Sequence, residues 1–103
     1  MSYKLRFVQK FEQRNTEEFV ELERKFAEFE KKYPEFPKGK RYFPYIARDP
    51  QNTLIWEADF DTLEELIEAK RFFENDSRHE ELFQKQVKFF VESYTEIYKS
   101  FDE

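Results

Sequence analysis

At the start of the chain Tyr3, Leu5, Phe7 and Phe11 alternate with Lys4, Arg6, Val8 and Lys10. A period of two predicts a β-strand with one face turned to a core. After Asn15 and Thr16, residue types that cap helices, the period changes: Phe19, Leu22, Phe26, Phe29 and Tyr33 recur at steps of three and four. Glu17 and Glu18 fall in the first turn, where carboxylates oppose the helix dipole, and Pro34 stops the helix. "PEFPKGKR" reads as a loop. "RYFPYIA" reads as a short strand over 41–47, and Pro44, which cannot donate to a ladder, assigns it to a sheet edge. Period two returns in "TLIWEADF", with Leu54, Trp56, Ala58 and Phe60 on one side and Ile55, Glu57 and Asp59 on the other.

Thr62, with Glu65 three residues on, forms a capping box ahead of Leu63, Leu66, Ile67 and Phe73. "NDS" then interrupts the rhythm, and Ser77 with Glu80 offers a second box. Leu82, Phe83, Val87, Phe90 and Tyr94 extend as a further helical stripe, and "TEIYKSF" closes as the last strand. The order is βαββαβ, with the second helix broken near Asn75–Ser77. Two right-handed crossovers joined by a hairpin give an α+β, ferredoxin-like fold over 1–103: a four-stranded antiparallel sheet, helices on one face, strands one and three central.

Composition narrows the partners. The chain has 103 residues, one domain's worth, and combines 40% charged residues with 14 Phe, 6 Tyr and 1 Trp. Disordered chains lack aromatics, so the charge reads as a solvated surface around an aromatic core. A net charge of −5 disfavours a nucleic-acid backbone. There is no Cys, which removes disulfides, thiolates and Cys-based metal sites, and a single Gly argues against a glycine-lined cofactor loop. The first residues lack the pattern of a signal peptide, and no apolar run approaches the roughly 20 residues of a membrane span. A cytoplasmic protein binding neither membrane, metal nor cofactor is expected.

Helices cover one side of such a sheet; the other needs water, a ligand or a second subunit. With Leu5, Phe7, Leu54 and Trp56 toward the helices, Arg6, Val8, Lys10, Ile55, Glu57 and Asp59 lie opposite. Strand four adds Glu96 and Tyr98, and strand two Tyr42 or Tyr45. Enclosed there, Glu57 or Asp59 could act as a base and Arg6 or Lys10 as an anion anchor, while Tyr45 and Tyr98 donate hydrogen bonds. The same residues equally make an ion-pair cluster and aromatic filler at a subunit interface. His79, the only histidine, has Asn75 and Phe83 at i−4 and i+4, so no helical metal pair forms, and it reads as a corner residue. Trp56 reads as core beneath the second helix.

Element order, the acid-led first helix, "WEADFDTLEELIEA" and "FFENDSRHEELF" together resemble the dimeric α/β-barrel superfamily, which includes antibiotic-biosynthesis-type monooxygenases and NIPSNAP-like proteins. The resemblance implies a homodimer whose two sheets face each other around a pocket. It also implies a small-molecule-binding protein, either a cofactor-independent monooxygenase- or isomerase-like enzyme or a non-catalytic structural or ligand-sensing dimer. None of these stretches is a catalytic signature. Haem-degrading members pair a helix-two His with a strand-one Asn, and strand one here has no Asn. RNA recognition modules share the element order, and "KGKRYFPYI" is similar to their basic-aromatic motif. It falls on strand two instead of strand three and carries Pro44, which sets RNA binding aside.

Overall fold

The computed structural model describes residues 1–101. Its strands are β1 (Tyr3–Phe11), β2 (Lys40–Tyr42), β3 (Thr53–Phe60) and β4 (Phe90–Lys99), and its helices are α1 (Thr16–Lys32), α2 (Leu63–Asn75) and α3 (Ser77–Gln86). The strands form one antiparallel sheet in the order β2-β3-β1-β4. This is the ferredoxin-like arrangement, with β1 and β3 central and the β2 strand at an edge.

Register fixes which side chains share a face. Leu5 stands opposite Ala58 and Ile97, and Phe7 opposite Trp56 and Thr95. On the helix side Leu5, Trp56 and Ala58 pack with Leu66 and Phe73 of α2, while Phe11 and Leu54 pack separately with Phe19 of α1. Phe11 and Phe19 stack with centroids 4.2 Å apart, an arrangement that adds about 1 kcal/mol beyond the area buried. Phe73 meets Trp56 edge-on at 5.2 Å, so the indole lies beneath α2.

Three local expectations are corrected. The β2 strand is only three residues long and ends before the Phe43–Pro44 pair. Proline has no N–H for the ladder and restricts the residue ahead of it. Tyr45 therefore falls outside the strand, 83% exposed. The helical stripe does not run to Phe90 and Tyr94: α3 ends at Gln86, a 3-10 turn covers Val87–Phe89, and β4 starts at Phe90 instead of Thr95. In Phe90–Lys99 the alternation Glu92, Tyr94, Glu96, Tyr98 is a strand period that the preceding helical spacing hides. Finally, α3 is capped by Asp76, whose carboxylate accepts from the backbone N–H groups of Arg78 and His79 at 3.0 and 3.1 Å; Ser77 is already helical.

The other caps are mixed. Thr62 accepts from the Glu65 backbone N–H at 3.1 Å, as its spacing predicts. Its hydroxyl also donates to the Glu65 carboxylate at 3.2 Å. At α1 Asn15 makes no side-chain cap, and the Thr16 hydroxyl donates to the Gln13 carbonyl.

Candidate functional site

The helix side of the sheet is not packed solid. Between it and the helices lies a cavity of about 390 Å³, floored by Phe7, Trp56 and Thr95 and roofed by side chains of α1, α2 and α3. That is within the range of small-molecule sites, roughly 300–1,000 Å³.

Its polar wall comes from buried charges. Glu23 and Glu30 sit on the face of α1 that carries Phe19 and Phe26, and both are buried. They converge on Arg41 of β2, which stands opposite Trp56 and so points to the helix side. The Arg41 Nε–H donates to Glu23 at 2.5 Å, and its two terminal nitrogens donate to both oxygens of Glu30 at 3.0 and 2.9 Å. Burial alone would lower the Arg41 pKa, but the bonds to Glu30 and the charge of Glu23 outweigh it and raise the value above its ordinary one. The Trp56 indole N–H donates to Glu30 at 2.8 Å and the Gln86 amide to Glu23 at 3.0 Å. Such bonds are what make buried charge tolerable.

Gly39 holds the indole in place. A Cβ there would meet the Trp56 ring at 2.2 Å, so only glycine lets the Nε1–Cε2–Cζ2 edge of the indole lie against this backbone.

His79 does occupy the corner, in the first turn of α3, and it also lines the cavity. Its ring lies 5.0 Å from Phe26 and 5.0 Å from Phe73, and 6.0 Å from Phe83. Burial among these rings lowers its pKa below 6.5 despite the opposing charges of Asp76 and Glu80. Its Nδ1 is buried and meets no hydrogen-bond partner. The imidazole is thus neutral above pH 6.5, able to accept or relay a proton.

Of the residues expected to carry chemistry, Arg6, Lys10, Glu57, Asp59 and Tyr98 lie on the opposite face of the sheet and Tyr45 on the loop after the β2 strand, and none of them lines this cavity. Arg6 donates to Glu57 at 2.8 Å, to Glu96 at 2.9 Å and to the Tyr98 hydroxyl at 2.9 Å. Burial pulls the Arg6 pKa down, but the bonds to Tyr98 and Glu57 prevail and raise it. Lys4 reaches Glu57 at 3.5 Å and Asp59 at 3.9 Å; Lys10 pairs with Glu92 at 3.3 Å, away from Glu57 and Asp59. Arg6, Glu57 and Tyr98 therefore meet, Asp59 and Lys10 stand at the margins, and Tyr45 is apart. The arrangement is a mutually satisfied ionic network.

Sequence reasoning passed over Glu23, Glu30, Arg41 and Gln86. A signal exists: Glu23 follows Phe19, and Glu30 follows Phe26, by four residues, so both fall within the apolar stripe. A carboxylate on the buried face of a helix requires a cation, and Arg41 shares the parity of Trp56 once the β2–β3 register is known.

Among the described residues no cluster of three or more His, Asp or Glu side chains could hold a metal ion, and no helix is long and apolar enough to cross a membrane. No protein-family profile matches the chain, and no curated protein matches it. Solved structures do. A NIPSNAP family protein from Agrobacterium tumefaciens superimposes with a TM-score of 0.79 at 14% identity, over 99% of this chain and 95% of that one. A putative antibiotic biosynthesis monooxygenase from Nitrosomonas europaea gives 0.64 at 15% identity, over 96% and 89%. A second antibiotic biosynthesis monooxygenase gives 0.73 at 7% identity, over 97% and 99%. At these identities the likeness is one of fold. The chain carries the ferredoxin-like fold shared by NIPSNAP family proteins and antibiotic biosynthesis monooxygenases.

Proposed function

We propose that this protein binds a small organic molecule in the cavity between sheet and helices, and works as a cytoplasmic homodimer joined through the bare sheet face. The observation that carries the first part is the cavity itself: about 390 Å³, walled by aromatic rings, with a few convergent polar groups. Apolar walls with a few placed polar groups are what small-molecule sites present. The dimer part is supported by Tyr94 and Tyr98, 38% and 46% exposed, which put aromatic surface among the ion pairs of the bare face. On this reading the Arg6–Glu57–Glu96 network fixes the alignment of two sheets. Glu57 and Asp59 then serve the interface, with Arg6, Lys10 and Tyr98 around them, while Tyr45, out on the loop after the β2 strand, takes no part in it.

The fold shared with antibiotic biosynthesis monooxygenases favours cofactor-independent chemistry on the bound molecule, with His79 as the group that takes up a proton. A purely ligand-sensing dimer is the second reading. It is favoured by Arg41, three of whose N–H groups are committed to Glu23 and Glu30.

The test is mass spectrometry of small molecules released on denaturing the purified protein. A discrete compound is expected, and adding it back should shift the emission of Trp56, the only tryptophan. Consumption of dioxygen or conversion of that compound, abolished in His79→Gln, marks the enzyme; unchanged compound marks the sensor. Release of nothing, with Trp56 emission indifferent to a metabolite extract, would sink the reading.

A further inference from the structure

The charges around the cavity do not balance. Lys70 and Glu74 cancel in a 2.8 Å pair. Arg41, the remaining cation on the lining, faces both Glu23 and Glu30, so this trio retains one negative charge. Glu80 adds another, and the neutral Gln84 amide donates to it at 2.6 Å. Burial keeps His79 neutral, so it supplies no compensating charge.

Hydrogen-bonding capacity is skewed the same way. Ionised carboxylates accept only, at about four lone-pair positions each. Glu23 receives one bond from Arg41 and one from Gln86, leaving acceptor positions open. The Nδ1 of His79 is buried without a partner, and in the tautomer protonated at Nε2 it accepts as well. Phe26, Phe73, Phe83 and Trp56 present rings to the same space. Aromatic faces are negative at their centres and attract cations, more strongly when water is excluded.

Resting on the reading that the cavity is a ligand site, we infer that it takes an organic cation: a protonated amine on a compact apolar or aromatic body. The amine lies toward the Glu23–Arg41–Glu30 cluster and Glu80, where it finds the missing positive charge and open acceptors. The body lies against the rings. Carboxylates and phosphates are disfavoured there, because the guanidinium that would hold them is engaged twice over. This reverses the preference for anions that a pocket built on Arg6 and Lys10 would have.

Three probes of nearly equal size separate charge from shape: 2-phenylethylamine, 2-phenylethanol and 3-phenylpropionate, titrated into the full chain at pH 7.5 while Trp56 emission is followed. The amine should bind at least about tenfold more tightly than the carboxylate, with the alcohol between, as expected for a cation among partly screened carboxylates. Glu80 is exposed, so Glu80→Gln leaves the fold intact. It should weaken the amine about threefold and leave the alcohol unchanged. If 3-phenylpropionate binds as tightly as the amine, the charge preference is wrong while the cavity remains a binding site. If the amine binds by calorimetry without moving Trp56 emission, it sits elsewhere and the inference fails. If none of the three binds by either measure, the cavity reading falls and takes the inference with it.

Discussion

At the scale of single residues, the cavity depends on a glycine and a histidine. Gly39→Ala would push a methyl group into the Trp56 indole, which is already stacked on Phe7 at 5.3 Å and crossed by Phe73. A ring packed on both sides cannot swing away freely, so overpacking should cost about 1–3 kcal/mol. A lower denaturation midpoint and red-shifted Trp56 emission would record it; an unchanged spectrum would mean that the backbone, not the ring, gives way. His79 sets a pH dependence. Above pH 6.5 it is neutral whether folded or unfolded, and burial has no electrostatic cost. As the pH falls through 6.5 the unfolded chain takes up a proton that the folded one resists, so stability declines until the lowered folded pKa is reached. Denaturant titrations between pH 7 and 5 should show that decline, and His79→Gln should flatten it. Asp76 does not confuse the result: the hydrogen bond from Arg78 holds its carboxyl below 3.8, so its own stabilisation is lost only under more acid conditions.

At the scale of elements, the junction of α2 and α3 shows what spacing can and cannot reveal. The break at "NDS" is legible, but three neighbouring polar residues are all competent caps, and choosing Asp76 over Ser77 requires knowing which one keeps extended dihedrals. Asp76→Ala should destabilise the protein by about 1 kcal/mol, the usual cost of losing an N-cap. Ser77→Ala should be near neutral, and equal effects in thermal melts would contradict the assignment. The open-face partners were legible for a simpler reason. Strand parity is set by a period of two, so Arg6, Glu57, Glu96 and Tyr98 had to share a side once Leu5 and Trp56 were placed on the other. Parity says nothing about where a gap opens in the core. The cavity arises because α1 turns Glu23 and Glu30, not further phenylalanines, toward Arg41; that pairing spans α1 and β2 and leaves no local pattern beyond two charges inside an apolar stripe. The end of α3 was misread because Val87, Phe90 and Tyr94 fit helical spacing as well as they fit a turn followed by a strand.

At the scale of the whole molecule, the proposed pairing of two sheets can be tested by charge alone. Tyr94 sits on the bare face opposite Val8, near the middle of the sheet. Its hydroxyl pKa is raised by burial and by the charge of Asp49. Its neighbours on the same face of the β4 strand, two residues to either side, are Glu92 and Glu96. A second copy laid over this face would bury on the order of 800 Å² per partner, and a carboxylate at its centre would lose water without gaining a cation. Arg6 is already held by Glu57, Glu96 and Tyr98, and Lys10 by Glu92. Tyr94→Glu should therefore convert the assembly to a monomer of 12.9 kDa by light scattering at micromolar concentration, while far-ultraviolet circular dichroism stays that of the parent. The cavity lies on the other side of the sheet, so ligand binding there should survive the separation. A parent protein that is already monomeric removes the bare face as an interface but leaves the helix-side site standing, because no residue of that site depends on a second copy.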